Sequence, residues 1–450
     1  MLIKNRKKLA TDSLRKAAVD IIEAGIESVL PEKLISFAVN FDPLNKLLQV
    51  EGNEYDTSAG RIFVIGGGKA ANLMAKTIEQ IIGYKNITTG IVNCKSTKGS
   101  TRKIKIIKAS HPVPDKNGIE GVRQMLSLKK NYSINERDMV ICLISGGGSA
   151  LMPCPATGIS LEDQQNITTL LLKSGADIHE INTVRKHLSR TKGGKLGEYF
   201  SPARIVSLII SDVVGDDLGV IASGPTYPDS STFQDAYNIL EKYNLIKRAP
   251  PTINYYIRLG CTGLIEETPK SLNNCDNHII GNNRVALEAM SAKATELGFN
   301  PLILTAEQKG DTEETAFSRA KEIIYGKYDN YNAILLGGET TPTVPEKSGK
   351  GGRNQHYAAV SILAMKEYPG NWLVASVGTD GSDYLSDVAG AMVTCESAGI
   401  AESRGLNVRS YIDSFDSHML LKKLGGSLIE TGNTGTNVSD IILYLLQKSL

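Results

Sequence analysis

Several short stretches of this chain combine glycines with cations, hydroxyls or carboxylates at spacings suited to phosphate and carboxylate groups. The first is Gly66-Gly67-Gly68-Lys69, which follows the apolar run Arg61–Ile65 and precedes helical periodicity over Ala70–Ile81. A strand that ends in glycines and turns into a helix offers backbone N–H groups and a positive dipole end to an anion, and Lys69 adds a cation. Gly66, Gly68 and Ala71 also fit the dinucleotide fingerprint, but the next strand run ends in Asn93-Cys94-Lys95, where a ribose-binding Asp or Glu is expected. A Walker A loop is excluded, because Ala70 follows the Gly-Lys step in place of Ser or Thr. The second stretch is Ser145-Gly146-Gly147-Gly148-Ser149, whose flanking hydroxyls add donors to an amide nest. Close packing of helix on sheet explains one such glycine more easily than three in succession.

Carboxylates stand at the ends of other strand-like runs: Asp212 after Ile205–Ile210, Glu339 after Ala333–Leu336, and Asp380 and Asp383 after Trp372–Val377. Beside anion-binding loops they would repel substrate unless a divalent cation lies between or one takes a proton, which points to magnesium. Each alone also reads as a turn or helix-cap residue. Gly349-Lys350-Gly351-Gly352-Arg353-Asn354 runs into a helix with a guanidinium at its start, a position the dipole disfavours unless an anion is near. A local acid would serve as well as a substrate. The basic segment Asn182–Lys195 lacks interleaved aromatics and reads as a cationic wall rather than an RNA surface. His111 in a Pro-rich turn and the Gly/Thr-rich segment Thr431–Asp440 complete the candidates.

The elements that must position these residues alternate. Strand runs at Gly90–Asn93, Ile104–Lys108, Met139–Ile144 and Ile205–Ile210 are separated by helical stretches at Glu120–Leu128, Leu161–Ser174 and His179–Ser189. This predicts β-α-β units and a largely parallel sheet covered on both faces. A second series has strands at His278–Ile280, Asn300–Thr305, Ala333–Leu336 and Trp372–Val377, with helices at Asn283–Leu297, Thr312–Ile324 and Asn354–Met365. Weak periodicity and prolines around Arg248–Asn277 place a connection at 251–277. The expected organisation is an α/β domain over 1–250, a second α/β domain over 278–430, and a tail over 431–450 free to return to the first. An amphipathic helix opens the chain from Leu14 to Ile26.

Composition limits the alternatives. The chain has 450 residues, 41% of them hydrophobic and 22% charged, which is ordinary for a globular protein long enough for two or three domains. Fifty Lys+Arg against 48 Asp+Glu leave a net charge of +2, which argues against nucleic-acid or membrane-surface binding. The 43 glycines exceed the usual share, and the excess sits in the loops above. Six cysteines without a C-x-x-C pair read as reduced residues of a cytoplasmic protein. Acidic residues interrupt any leader-like apolar stretch in the first thirty positions, and no run reaches membrane-spanning length.

Ile65–Ala71, His111–Asp115, Ser145–Leu151, Asn182–Lys195, Ser211–Pro225, Gly337–Thr341, Gly349–Gln355, Gly378–Asp383 and Thr431–Asp440 together resemble the MOFRL-type glycerate 2-kinases, from about residue 10 to the C-terminus. The resemblance implies a Rossmann-like three-layer domain, a smaller α/β domain and an active site in the cleft between them. It also implies transfer of the γ-phosphoryl group of ATP to the 2-hydroxyl of (R)-glycerate with Mg2+. The family's lysine falls on Lys69 and its arginine on Arg353. With Asp212 these form the expected catalytic set. Gly66, Gly67, Gly68, Ser145, Gly146, Gly147, Gly148, Ser149, Lys192, Glu339, Gly351, Gly352, Asn354, Thr436 and Asn437 are expected to bind nucleotide or substrate, and Asp380 and Asp383 to hold the metal. Two departures are Ser382 and Asn433, where the family favours a hydrophobic residue and a proline. A nicotinamide-dependent hydroxy-acid oxidoreductase, a non-catalytic sugar-phosphate sensor, and kinases of related acids or of the 3-hydroxyl remain alternatives. A homodimer or a monomer is expected, with glycerate and ATP as small-molecule partners.

Overall fold

Residues 1–97 and 99–447 are described by a computed structural model. The chain forms two compact units, one of Leu34–Ile280 and one joining Met1–Lys33 to Gly281–Leu450.

The Leu34–Ile280 unit opens with a three-stranded antiparallel meander, β1 (Val39–Asp42), β2 (Leu47–Val50) and β3 (Asn53–Asp56). Six further strands, β4 (Ile62–Gly67), β5 (Ile87–Cys94), β6 (Ile104–Lys108), β7 (Met139–Ser145), β8 (Arg204–Ile210) and β9 (Cys275–Gly281), form one sheet in the order β6-β5-β4-β7-β8-β9. The pairs from β6 to β8 are all parallel. The chain thus builds outward from β4 through β5 to β6, then returns to β7 and builds the other way. That order makes β4 and β7 the switch point, and in such sheets ligands bind beyond the carboxyl ends of the two strands there. β4 and β7 are buried along their whole length, as central strands covered on both faces must be.

Helices follow the expected periodicity, and their starts are set by local caps. Asp115 accepts from Gly118 N at the head of Lys116–Asn131, and reciprocal boxes Ser160/Asp163 and Asp177/Glu180 open Leu161–Ser174 and Ile178–His187. The stretch expected as a connection at 251–277 is instead part of this unit. Pro251–Cys261 is a helix whose Ile253 and Ile257 share an apolar cluster with Leu171, Val184 and Leu240, and Cys275–Gly281 is the edge strand β9. Proline at the first helical position starts a helix as well as it marks a linker.

The other unit carries a mixed sheet of β10 (Pro301–Gln308), β11 (Ala333–Gly338), β12 (Asn371–Gly378), β13 (Gly390–Thr394), β14 (Leu428–Ile429) and β15 (Asp440–Gln447), in the order β10-β11-β15-β12-β13-β14. The tail therefore does not return to the first domain. As β15 it lies antiparallel between β11 and β12, with Asp440 opposite both Gly338 and Gly378. The opening helix, Ser13–Ser28, also belongs here rather than to a 1–250 domain. It packs on the helix Asn283–Glu296, with Gly25 giving Met290 room to approach.

β15 is tied to the helix Arg353–Ala364 through Tyr444 and Tyr357, fully buried with their hydroxyls 2.7 Å apart. Each hydroxyl is the other's partner, with the Ser361 hydroxyl also beside that of Tyr444, so removing one leaves the other a bond short. Tyr357→Phe or Tyr444→Phe is expected to cost about 1–3 kcal/mol in chemical denaturation, and the double variant clearly less than the sum. Additive losses would show that the two hydroxyls do not depend on each other.

Candidate active site

At the switch point, the first glycine loop is bonded to the second. Lys69 N donates to Gly146 O at 2.8 Å, Ala70 N to Ser145 Oγ at 3.1 Å, and Gly68 N to Asn93 O at 3.1 Å. The amides expected to cradle an anion around Gly66, Gly67 and Gly68 are therefore committed within the protein. Gly66 and Gly67 stand in the ladders of β4, and Gly68, at φ +153, lies so close to Ser145 that a Cβ would sit 2.1 Å from its Oγ. These glycines serve close approach. What the loop presents is the Lys69 side chain, half-buried at the turn.

The dinucleotide fingerprint is likewise a packing turn. Asn93, at the end of β5, is fully buried and donates to the carbonyls of Gly118 and Leu151, both at 2.8 Å. It ties the start of the Lys116–Asn131 helix to the end of the short Gly148–Leu151 helix, at the place where a ribose-binding carboxylate is required.

The second loop, from Ser145 to Ser149, turns through Gly147 in the left-handed region, at φ 77. A Cβ there would lie 2.8 Å from the His111 ring and 3.3 Å from Lys69 Cγ, so His111, Gly147 and Lys69 converge. Gly146 and Gly148 flank this turn. Ser149 Oγ lies 2.9 Å from Ser223 Oγ, and Lys192 Nζ donates to Ser149 O at 2.7 Å. Lys192 is 6% exposed, and burial together with the nearby charge of Arg185 pushes its ammonium down to about 7. Arg185 is itself lowered by burial, and its Nε meets only Thr168 Oγ1, at 3.4 Å. No carboxylate pairs with either cation among the described residues. Asp212, two residues beyond β8, is half-buried on the same carboxyl edge of the sheet.

The second cluster lies at the ends of β11 and β12. Arg353 Nε and Nη2 hold Asp440 at 2.5 and 3.1 Å, and Nη1 reaches Glu339 at 2.5 Å. Asp440, Glu339 and Asp383 together hold the guanidinium above its usual value despite burial. The anions that offset the helix dipole at Arg353 are thus the protein's own. Asp440 closes the candidate segment Thr431–Asp440, but sequence reasoning gave it no role of its own. Its signal was its place immediately before the apolar run Ile441–Leu446, which marks a strand start.

Asp383 corrects an expectation. Rather than standing open to a metal, it is 4% exposed and caps the Arg353–Ala364 helix, accepting from Asn354 N at 3.0 Å and Gln355 N at 2.8 Å. Burial pushes its carboxyl up to about 6. Gly352 backs onto this carboxylate and Gly351 onto Ser417, while Asn354 donates to Asp440 Oδ1 at 3.0 Å and accepts from Ser376 Oγ at 2.6 Å. Thr436 is a second correction: it is 2% exposed, with its hydroxyl on the Val29 carbonyl, and fixes the opening helix instead of facing a ligand. Asn437 is half-buried and accepts from Ser439 N at 3.3 Å. Asp380 is half-buried after β12, and its Oδ1 accepts from Ser382 N and Oγ, both at 2.9 Å.

Residues 17–258 match a family described as a domain of unknown function, DUF4147, and residues 332–440 match the MOFRL family. A D-glycerate 2-kinase from Thermotoga maritima is 39% identical over 97% of this chain and 99% of its own length. A glycerate 2-kinase from Pyrococcus horikoshii is 39% identical over 96% and 97%. The crystal structure of a glycerate kinase from Thermotoga maritima superposes with a TM-score of 0.84 at 38% identity, covering 96% of this chain and 99% of that one. With both family domains in order and relatives matched over nearly their whole length, the chain belongs to the glycerate 2-kinase family.

Proposed function

We propose that this protein transfers the γ-phosphoryl group of ATP to the 2-hydroxyl of D-glycerate, giving 2-phosphoglycerate and ADP. The observation that carries this reading is the near full-length match to two glycerate 2-kinases at 39% identity. The switch-point cation Lys69, fixed through its own backbone amide, supports it. The 2-hydroxyl oxygen forms the new bond to the γ-phosphorus while the bond to the bridging oxygen of ADP breaks. The hydroxyl proton passes to Asp212. Such a transfer needs alignment and charge neutralisation more than covalent help. Lys69 meets the charge on the transferred group. Arg353, its plane set by Glu339 and Asp440, presents its remaining N–H edge to an anionic oxygen.

Among the described residues, no group of three His, Cys, Asp or Glu side chains could hold a metal ion. Magnesium in phosphoryl transfer is carried largely by the nucleotide's phosphates, with one or two protein carboxylates, and the chain can supply those. Asp380, half-buried beyond β12, fits that role; Asp383, enclosed by helix amides, does not. Bound there, magnesium would neutralise phosphate charge. No helix among the described residues is long and apolar enough to cross a membrane, and a cytoplasmic enzyme, homodimeric or monomeric, is the corresponding proposal.

Lys69→Ala and Arg353→Ala are each expected to lower kcat by about 10²–10³ with melting unchanged, measured by coupling ADP release to glycerate consumption. Near-normal turnover would remove that residue from the reaction. Phosphorus NMR of the product is expected to show phosphate on C2, and a 3-phosphoglycerate signal would reassign the acceptor oxygen. Chelation with EDTA is expected to abolish turnover and added Mg2+ to restore it, whereas full activity in EDTA would exclude the metal.

A further inference from the structure

One cavity in the Leu34–Ile280 unit is not explained by the packing of its walls. It has a volume of about 390 Å³ and opens between the His111–Pro114 turn, the Gly147–Ala150 turn and the helices Leu161–Ser174 and Ile178–His187. That is within the range of about 300–1,000 Å³ typical of small-molecule sites. Its inner end holds Ser149, Lys192 and Arg185, and no acidic side chain lines it anywhere. Two cations without a carboxylate partner, pressed together where burial penalises charge, make an environment that an anionic ligand would relieve. The rest of the wall is different in kind. Ile167, Leu188 and Pro153 line it, and Val113 and Leu172 stand 59% and 61% exposed on its rim. The rim is braced, because Gln165 Nε2 donates to Pro114 O at 2.8 Å and so fixes the turn against the helix.

A three-carbon hydroxy acid has no apolar surface to lay against such a wall and would leave most of the volume empty. A nucleotide has both parts, a flat apolar base and a chain of phosphates. Taking the kinase reading above as its ground, we propose that this cavity is the nucleotide site, with the base between Val113 and Leu172 and the phosphates directed along Arg185 and Lys192 toward the Gly147 turn. Lys69 then stands beyond the inner end, next to Gly147, where the terminal phosphate would arrive.

The test uses the full chain and ADP as the probe. Thr168→Trp fills the cavity from the half-exposed face of its helix, and Arg185→Gln removes one cation without shortening the side chain greatly. Calorimetric titration is expected to show ADP affinity falling at least about tenfold in each variant, and KM for ATP rising in parallel, with KM for glycerate within about twofold of the parent. Unchanged ADP affinity in Arg185→Gln, or a rise confined to the glycerate KM, would overturn the assignment. The second of these would make the cavity the acceptor site. If Thr168→Trp does not fold, Leu172→Glu on the exposed rim takes its place and is expected to repel the nucleotide. Because the titration needs no turnover, a parent protein that binds ADP but phosphorylates no glycerate would defeat the kinase reading while leaving the cavity assignment standing.

Discussion

The hydrogen bond from the Lys69 amide to the Gly146 carbonyl, with its neighbour from Ala70 N to Ser145 Oγ, joins the two strand ends at which the strand order of the parallel sheet reverses. Each such bond contributes only about 1 kcal/mol net, but leaving either group unpaired in a buried loop would cost more. The bonds require the loops to touch, and that contact leaves no room for side chains on Gly68. The glycine run, the crossing of the chain and the direction of Lys69 are therefore one constraint seen three ways. A lysine whose backbone is fixed on both sides delivers its charge to a defined place, which is what transfer of a phosphoryl group asks of it.

A similar logic operates at the ends of the central strands β11, β15 and β12 of the other sheet, with carboxylates in place of glycines. Asp383 satisfies the first amides of the Arg353–Ala364 helix from beneath, and this leaves Asp440 to hold Arg353 from the start of β15. Asn354 links the two by donating to both, at 3.3 Å to Asp383 and 3.0 Å to Asp440. A guanidinium at a helix start is unfavourable by itself. Here it is tolerated because three protein carboxylates raise its hold on its proton.

Features written in neighbouring residues were legible in the sequence. The helices Leu161–Ser174 and Thr312–Ile324 begin and end where periodicity and capping residues place them, since Ser160, Asp163 and Asp311 bond to amides a turn away. The loops at Lys69, Ser145–Ser149 and Arg353 were legible for the same reason. Contacts between distant parts of the chain were not. Nothing local to Ile441–Leu446 says that it lies between β11 and β12, nor does the opening helix state that its partner is Asn283–Glu296. Asp383 shows the same limit: a carboxylate after a strand reads as a metal ligand until the helix above it, 28 and 29 residues earlier in the chain at the bonding amides, takes both its oxygens. Thr436 reads as a binding hydroxyl until Val29 claims it.

The two clusters of cations differ in a way that bears on what each can do. Arg353 is compensated: its three nitrogens are engaged by protein carboxylates, so its position is fixed whether or not a ligand is present. A residue in that state contributes orientation and little net charge. Lys192 and Arg185 are the opposite case. Among the described residues their polar contacts are a carbonyl and a hydroxyl, and folding bears the cost of burying them. Such a cost is recovered when an anion enters, and the affinity for that anion is raised by the same amount. Fixed, compensated charge suits a group that must point; uncompensated charge suits a group that must hold. A kinase needs both, the second for the polyanionic donor that has to be gripped through each turnover.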